Sequence, residues 1–133
     1  MTLITPVSKP DNRLIRVLIV DDMPQVRQEL RSLLQLSNEV EIVGEAGDGQ
    51  EAIKQAELLR PDVVIMDLEM PILDGLDAAS QIKQRKLAKR VVILSVHSEP
   101  EDLERARQAG ADAFVQKGSP YSTLIESIHN YKP

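Results

Sequence analysis

The sequence predicts an α/β domain of the doubly wound kind, five parallel strands each followed by a helix, (βα)5, in one three-layer unit. Three observations predict it. Three wholly apolar runs, Val17 to Val20, Val63 to Met66 and Val91 to Leu94, are the right length for strands covered by helices on both faces. Longer stretches with apolar residues at helical spacing lie between them. The 133 residues, 42% apolar and 28% charged, suit one core, burying roughly two-thirds of the unfolded surface.

Residues 1 to about 14 carry Pro6, Pro10 and Asn12 among mixed polar residues, which suits a flexible N-terminal arm and sets the domain at 15–133. The first strand follows, then a helix whose apolar face is Val26, Leu30, Leu33 and Leu34. Glu41-Ile42-Val43-Gly44-Glu45 alternates and reads as an edge strand. Gly44, Gly47 and Gly49 lack dinucleotide-loop spacing and read as turns. Asp48 opens the second helix, with Ala52, Ile53, Ala56 and Leu59 on one face. After the third strand, Asp74-Gly75 turns into a helix marked by Leu76, Ala79 and Ile82. The fourth strand leads to Ser98, which with Glu101 predicts a capping box for a helix from Pro100 to about Ala109. Only Leu103 and Ala106 anchor that helix, so it is the one expected to move. Ala113-Phe114-Val115 is a short fifth strand. Ser119-Pro120 then opens a last helix with Tyr121, Leu124, Ile125 and Ile128 facing inward. This element count and size match the flavodoxin-like three-layer sandwich with strand order 2-1-3-4-5.

Sixteen Lys and Arg against twenty-one Asp and Glu give a net charge of −5, which argues against a nucleic-acid footprint or an anionic membrane surface. The absence of Cys excludes disulfides, thiolate metal sites and Cys nucleophiles. No apolar run exceeds four residues, and the first ten residues lack the form of a secretory signal. A cytoplasmic location is expected.

The chemistry is concentrated after the strands. Asp21 and Asp22 follow the first, Asp67 the third, Ser95 the fourth and Lys117 the fifth. In a parallel sheet these ends share one rim, at the crevice where strand order reverses. Any one of these residues alone reads more readily as a cap or turn; together they form a constellation. Three carboxylates in a small volume raise one another's pKa unless a cation intervenes. All-oxygen donors suit Mg²⁺, which keeps much of its water. A lysine and a hydroxyl opposite the metal leave room for a tetrahedral anion. The implied chemistry is phosphoryl transfer onto Asp67.

These residues resemble the receiver domain (CheY-like) of bacterial two-component response regulators. The resemblance spans about residues 15 to 131. It is carried by Val17-Leu18-Ile19-Val20-Asp21-Asp22, the run Val63 to Gly75, Val91 to Ser95, and Gly110 to Lys117. It implies Asp67 as phosphoacceptor and Asp22, Asp67 and the Glu69 backbone carbonyl as direct Mg²⁺ ligands, with Asp21 acting through water. Ser95 and Lys117 would hold phosphoryl oxygens, and Phe114 is the switch aromatic. Glu69, Val96 and His97 fall where the family tunes access and aspartyl-phosphate lifetime. Ser95-Val96-His97-Ser98-Glu99-Pro100 and Lys117-Gly118-Ser119 are further similar to the NarL-like branch, whose members usually carry a helix-turn-helix output domain. Gly118 stands where the family often has Pro.

The implied partners are a histidine kinase or phosphotransfer protein, an unidentified output domain or protein, and a phosphorylation-dependent homodimer. A stand-alone receiver and the receiver part of a longer regulator both fit. A Mg²⁺-dependent phosphohydrolase using Asp67 would need a substrate cap and a general acid, and neither is visible. A flavin carrier fits the fold alone, and three aromatic residues offer little stacking. A receiver-like module that is never phosphorylated would not need the full residue set.

Overall fold

The computed structural model describes residues 13–68, 70 and 74–129. Residues 1–12 of the expected arm lie outside that description. Five strands, β1 (Ile15–Val20), β2 (Val40–Ala46), β3 (Val63–Asp67), β4 (Arg90–Ser95) and β5 (Ala113–Gln116), alternate with five helices. These are α1 (Pro24–Gln35), α2 (Gly49–Leu59), α3 (Gly75–Gln84), α4 (Pro100–Gln108) and α5 (Tyr121–His129). The strands are parallel in the order β2-β1-β3-β4-β5, as the sequence predicts.

The continuous apolar strands are explained by what covers them. Successive strand side chains point to opposite faces, and here both faces are buried. Val17, Ile19, Val63, Ile65, Val92 and Leu94 pack against Leu30 and Leu34 of α1 and Leu124 and Ile128 of α5. Leu18, Val20, Val64, Met66, Val91 and Ile93 pack against Ala52 and Ala56 of α2, Ala78, Ala79 and Ile82 of α3, and Ala106 of α4. Only one residue of α4 is buried, Ala106. Leu103 on that helix is exposed, in line with the weak stripe in its sequence.

Three local details differ from the sequence pattern. Leu33 is 41% exposed and does not join the α1 face; Leu30 and Leu34 already fill the space above the sheet. The cap of α4 is Glu99 rather than Ser98. Asp102 accepts the Glu99 N–H at 3.2 Å, the reciprocal role expected of Glu101. Pro100 fixes the first helical residue, which sets the cap one position before it. On β2 the alternation breaks because Val17 pairs with Ile42 but Leu18 pairs with Gly44, a bulge that skips Val43. Gly44 and Glu45, which follow, are half-buried at this edge.

Asp112, within the motif preceding Lys117, serves the opposite end of the sheet. Its Oδ2 accepts from the Val91 amide at 2.8 Å and from Lys83 Nζ at 2.9 Å, tying β4 to α3. The neighbouring Gly110 has φ +93°, a backbone state that favours glycine where the chain leaves a helix.

Candidate functional site

β1 is the switch point: its neighbours β2 and β3 follow it on opposite sides, so the β1–α1 and β3–α3 connections diverge and leave a crevice between them. Asp21 and Asp22 stand on the first connection and Asp67 ends β3. One carboxylate oxygen of each lies within 4.8 Å of the others. Asp21 is 1% and Asp67 9% exposed, while Asp22 stands at the open side.

Lys117 closes the pocket from β5. Its Nζ donates to Asp21 Oδ2 at 3.0 Å and lies 3.5 Å from Asp67 Oδ1. Burial opposes the ammonium charge. The hydrogen bond to Asp21 and the charges of Asp67 and Asp21 outweigh it and raise the Lys117 pKa above the ordinary lysine value. Asp21 Oδ1 meanwhile accepts the Met23 amide at 2.9 Å. Both oxygens of Asp21 are therefore engaged by the protein.

Ser95 ends β4 and is 1% exposed. Its carbonyl accepts the Lys117 N–H at 2.7 Å, and its Oγ accepts the His97 N–H at 3.0 Å. The hydroxyl so placed keeps a proton to donate. Val96, next along, is 61% exposed at the mouth of the loop, and His97 is also exposed. Phe114 is half-buried on the α4 side of the sheet, packed against the core there. With Leu103, Ala106 and Ala111 it borders a groove of about 190 Å³ between α4 and β5. Glu69 lies outside the described residues, so the expected backbone-carbonyl ligand and its tuning role are not placed.

Two supporting features carry no signature in hydrophobic periodicity. Arg27, on the polar flank of α1, donates from Nη1 to the Asp21 carbonyl at 2.7 Å and from Nε to Glu45 Oε1 at 3.0 Å. Gly75, which reads as a turn residue, packs its Cα against the backbone of Asp67. A Cβ built there meets the Asp67 carbonyl oxygen at 2.0 Å, and the Gly75 N–H donates to the Leu68 carbonyl at 3.0 Å. The Asp74 side chain, accepting the Asp77 N–H at 2.9 Å, caps the N-terminus of α3 beside Gly75. Gly75→Ala must push α3 away from the Asp67 backbone. A loss of about 1–3 kcal/mol in urea unfolding is expected, with weaker Mg²⁺ binding; unchanged values for both would contradict the close approach.

A parallel α/β domain that gathers three carboxylates, a serine and a lysine at its strand ends defines a receiver domain of two-component signalling. The chain belongs to the response regulator receiver domain family, which it matches over residues 17–129. It is 49% identical over 113 residues to the transcriptional regulatory protein PdtaR of Mycobacterium tuberculosis, covering 85% of this chain and 54% of PdtaR. It is 33% identical over 113 residues to the nitrate/nitrite response regulator protein NarL of Escherichia coli, covering 85% of this chain and 52% of that protein. The chain thus spans about half the length of these curated relatives. Among solved structures, the signal receiver domain of the putative response regulator NarL from M. tuberculosis superposes with a TM-score of 0.84 at 33% identity, covering 89% of this chain and 95% of that one. CheY in the CheX-CheY-BeF3-Mg complex from Borrelia burgdorferi is of the same fold, that comparison giving a TM-score of 0.79 at 25% identity, with 87% of each chain covered. Among the described residues, no helix is long and apolar enough to cross a membrane.

Proposed function

We propose that this domain is a phosphorylation-dependent switch in the cytoplasm, in which Asp67 accepts a phosphoryl group from the phosphohistidine of a histidine kinase or phosphotransfer protein. The observation that carries this reading is Lys117 bridging Asp21 and Asp67 inside a pocket of three carboxylates. Such a pocket is costly without a purpose, because two of the acids are buried together.

The donor set fits Mg²⁺: three carboxylates within reach of one another and no nitrogen or sulfur ligand among them. Asp22 and Asp67 would hold the ion directly, Asp21 through water, and the Glu69 carbonyl would complete the protein ligands. When bound, Mg²⁺ supplies positive charge against the phosphoryl oxygens.

The protein's own groups do the rest. An Asp67 carboxylate oxygen attacks phosphorus in line, forming an O–P bond as the N–P bond of the phosphohistidine breaks and its electron pair returns to the imidazole. Lys117, held protonated by its two acidic neighbours, pairs with a phosphoryl oxygen. Ser95 donates its hydroxyl to another. Drawing that hydroxyl toward the phosphoryl group pulls on the β4–α4 loop through the His97 N–H. Phe114 then turns into the groove beside α4, whose single buried anchor leaves it able to shift. Val96 and His97, flanking the pocket mouth, set donor access and the lifetime of the phosphoryl group. The energy of the switch is bounded by the difference in phosphoryl contacts between the two states, typically a few kcal/mol.

Incubation with Mg²⁺ and a small phosphodonor, read by intact-protein mass, is expected to add one phosphoryl group to wild type and none to Asp67→Asn. Multiple turnover of a phosphate ester would instead mark a phosphohydrolase.

A further inference from the structure

We infer that Arg27 is a positioning residue for the metal-binding carboxylates, buttressed by Glu45, and this rests on the Mg²⁺ reading above. The carbonyl that Arg27 Nη1 grips at 2.7 Å belongs to the peptide joining Asp21 to Asp22. A peptide is planar, so fixing that oxygen fixes the plane and thereby the direction in which Asp22 leaves the strand. The other contacts of this connection act on either side of Asp22. The Asp21 N–H is held by the Ala46 carbonyl at 3.1 Å, and the Met23 carbonyl receives the Val26 and Arg27 amides. Asp22 itself is exposed, and Arg27 is the side chain that sets the peptide entering it.

Arg27 is in turn held from the edge strand. Glu45 Oε1 accepts Arg27 Nε at 3.0 Å, and Glu45 Oε2 accepts Arg31 Nε at 2.7 Å. Burial works against the Glu45 charge, but the two arginines more than offset it and lower its pKa below the ordinary carboxyl value. The polar, half-buried Glu45 at a sheet edge is thus explained as a brace two residues removed from the site.

Charge and positioning make opposite predictions for Mg²⁺ affinity. Arg27 is a cation near the pocket, so if its charge alone mattered, removing it would tighten Mg²⁺ binding. If it positions the carboxylates, removing it weakens binding, by about tenfold on the scale of partners that orient metal ligands.

The test is calorimetric titration of Mg²⁺ into wild type, Arg27→Met, Arg27→Lys and Glu45→Gln, with amide exchange measured in EDTA. The expected result is a Kd about tenfold higher for Arg27→Met and a smaller rise for Glu45→Gln. Arg27→Lys keeps the charge but lacks the guanidinium fork that reaches two acceptors, and is expected nearer to Arg27→Met than to wild type. Without metal, exchange at the Asp22 and Met23 amides should accelerate in Arg27→Met while β4 stays protected, a local change that general destabilisation would not give. Unchanged or tighter Mg²⁺ binding by Arg27→Met, or wild-type affinity in Arg27→Lys, overturns the inference while the Mg²⁺ reading stands. Failure of wild type itself to bind Mg²⁺ overturns both.

Discussion

Asp67→Asn is expected to unfold at a higher temperature than wild type in EDTA and at a lower one once Mg²⁺ and beryllofluoride are present. In the metal-free protein Asp67 and Asp21 are both buried beside Asp22, and the Lys117 ammonium is closer to Asp21, at 3.0 Å, than to Asp67, at 3.5 Å. Asn keeps the shape of Asp67 while removing one of the three like charges and its desolvation cost. Removing one of three mutually repelling carboxylates is worth about 1 kcal/mol, the size of a one-unit pKa shift, or roughly 3–5 °C for a domain of this size. Beryllofluoride mimics the phosphoryl group on a carboxylate, so the order reverses when it is added. A ligand at a hundred times its Kd adds about 2.7 kcal/mol to wild type, on the order of 10 °C, and nothing to Asp67→Asn. Differential scanning calorimetry across the four conditions reads both effects. A variant less stable than wild type in EDTA would mean that the Lys117 attraction outweighs the repulsion. No beryllofluoride shift in wild type would leave the acidic pocket without a phosphoryl function.

The same residues show why the fold was legible and where legibility stopped. Val17 to Val20 names a central strand because both faces are covered, and that coverage is a property of the run itself. Asp67, Ser95 and Lys117 were legible as a group because parallel strands bring their ends to one rim, so position along each strand translates directly into proximity. Arg27 has no such translation. It reaches the Asp21 carbonyl across a helix–strand gap, and its partner Glu45 lies on a bulged edge whose alternation was already broken. Gly75 belongs with it: a residue that reads as a turn is required by contact with the Asp67 backbone, a distance that appears only when β3 and α3 are packed. Ser98 and Glu99 differ by one position for a related reason, since several nearby polar residues could cap a helix and the start set by Pro100 chooses among them.

Lys117→Met is expected to lower stability by about 2 kcal/mol in EDTA, less than the 3–5 kcal/mol typical of breaking a fully buried pair because the lysine is partly exposed to water. The lost partner lies within salt-bridge distance of both Asp21 and Asp67, and Met fills the stem's volume without replacing the charge. Saturating Mg²⁺ should narrow the gap, since a cation bound by Asp22 and Asp67 restores positive charge to the pocket. Combining Lys117→Met with Asp67→Asn should recover part of the loss, because the two residues interact directly and their effects do not add. The pH dependence has a definite sign. Lys117 has its pKa raised above 10.5 in the folded state, so its contribution is complete below the unfolded value and is lost only as pH rises through the folded one. Urea unfolding of wild type and variant in EDTA should therefore show a constant gap from pH 7 to 9 that closes in stronger alkali. A gap already closing near neutrality would mean that Lys117 is not held charged by Asp21 and Asp67. In that case the lysine would not be available as the cation that receives the phosphoryl oxygens.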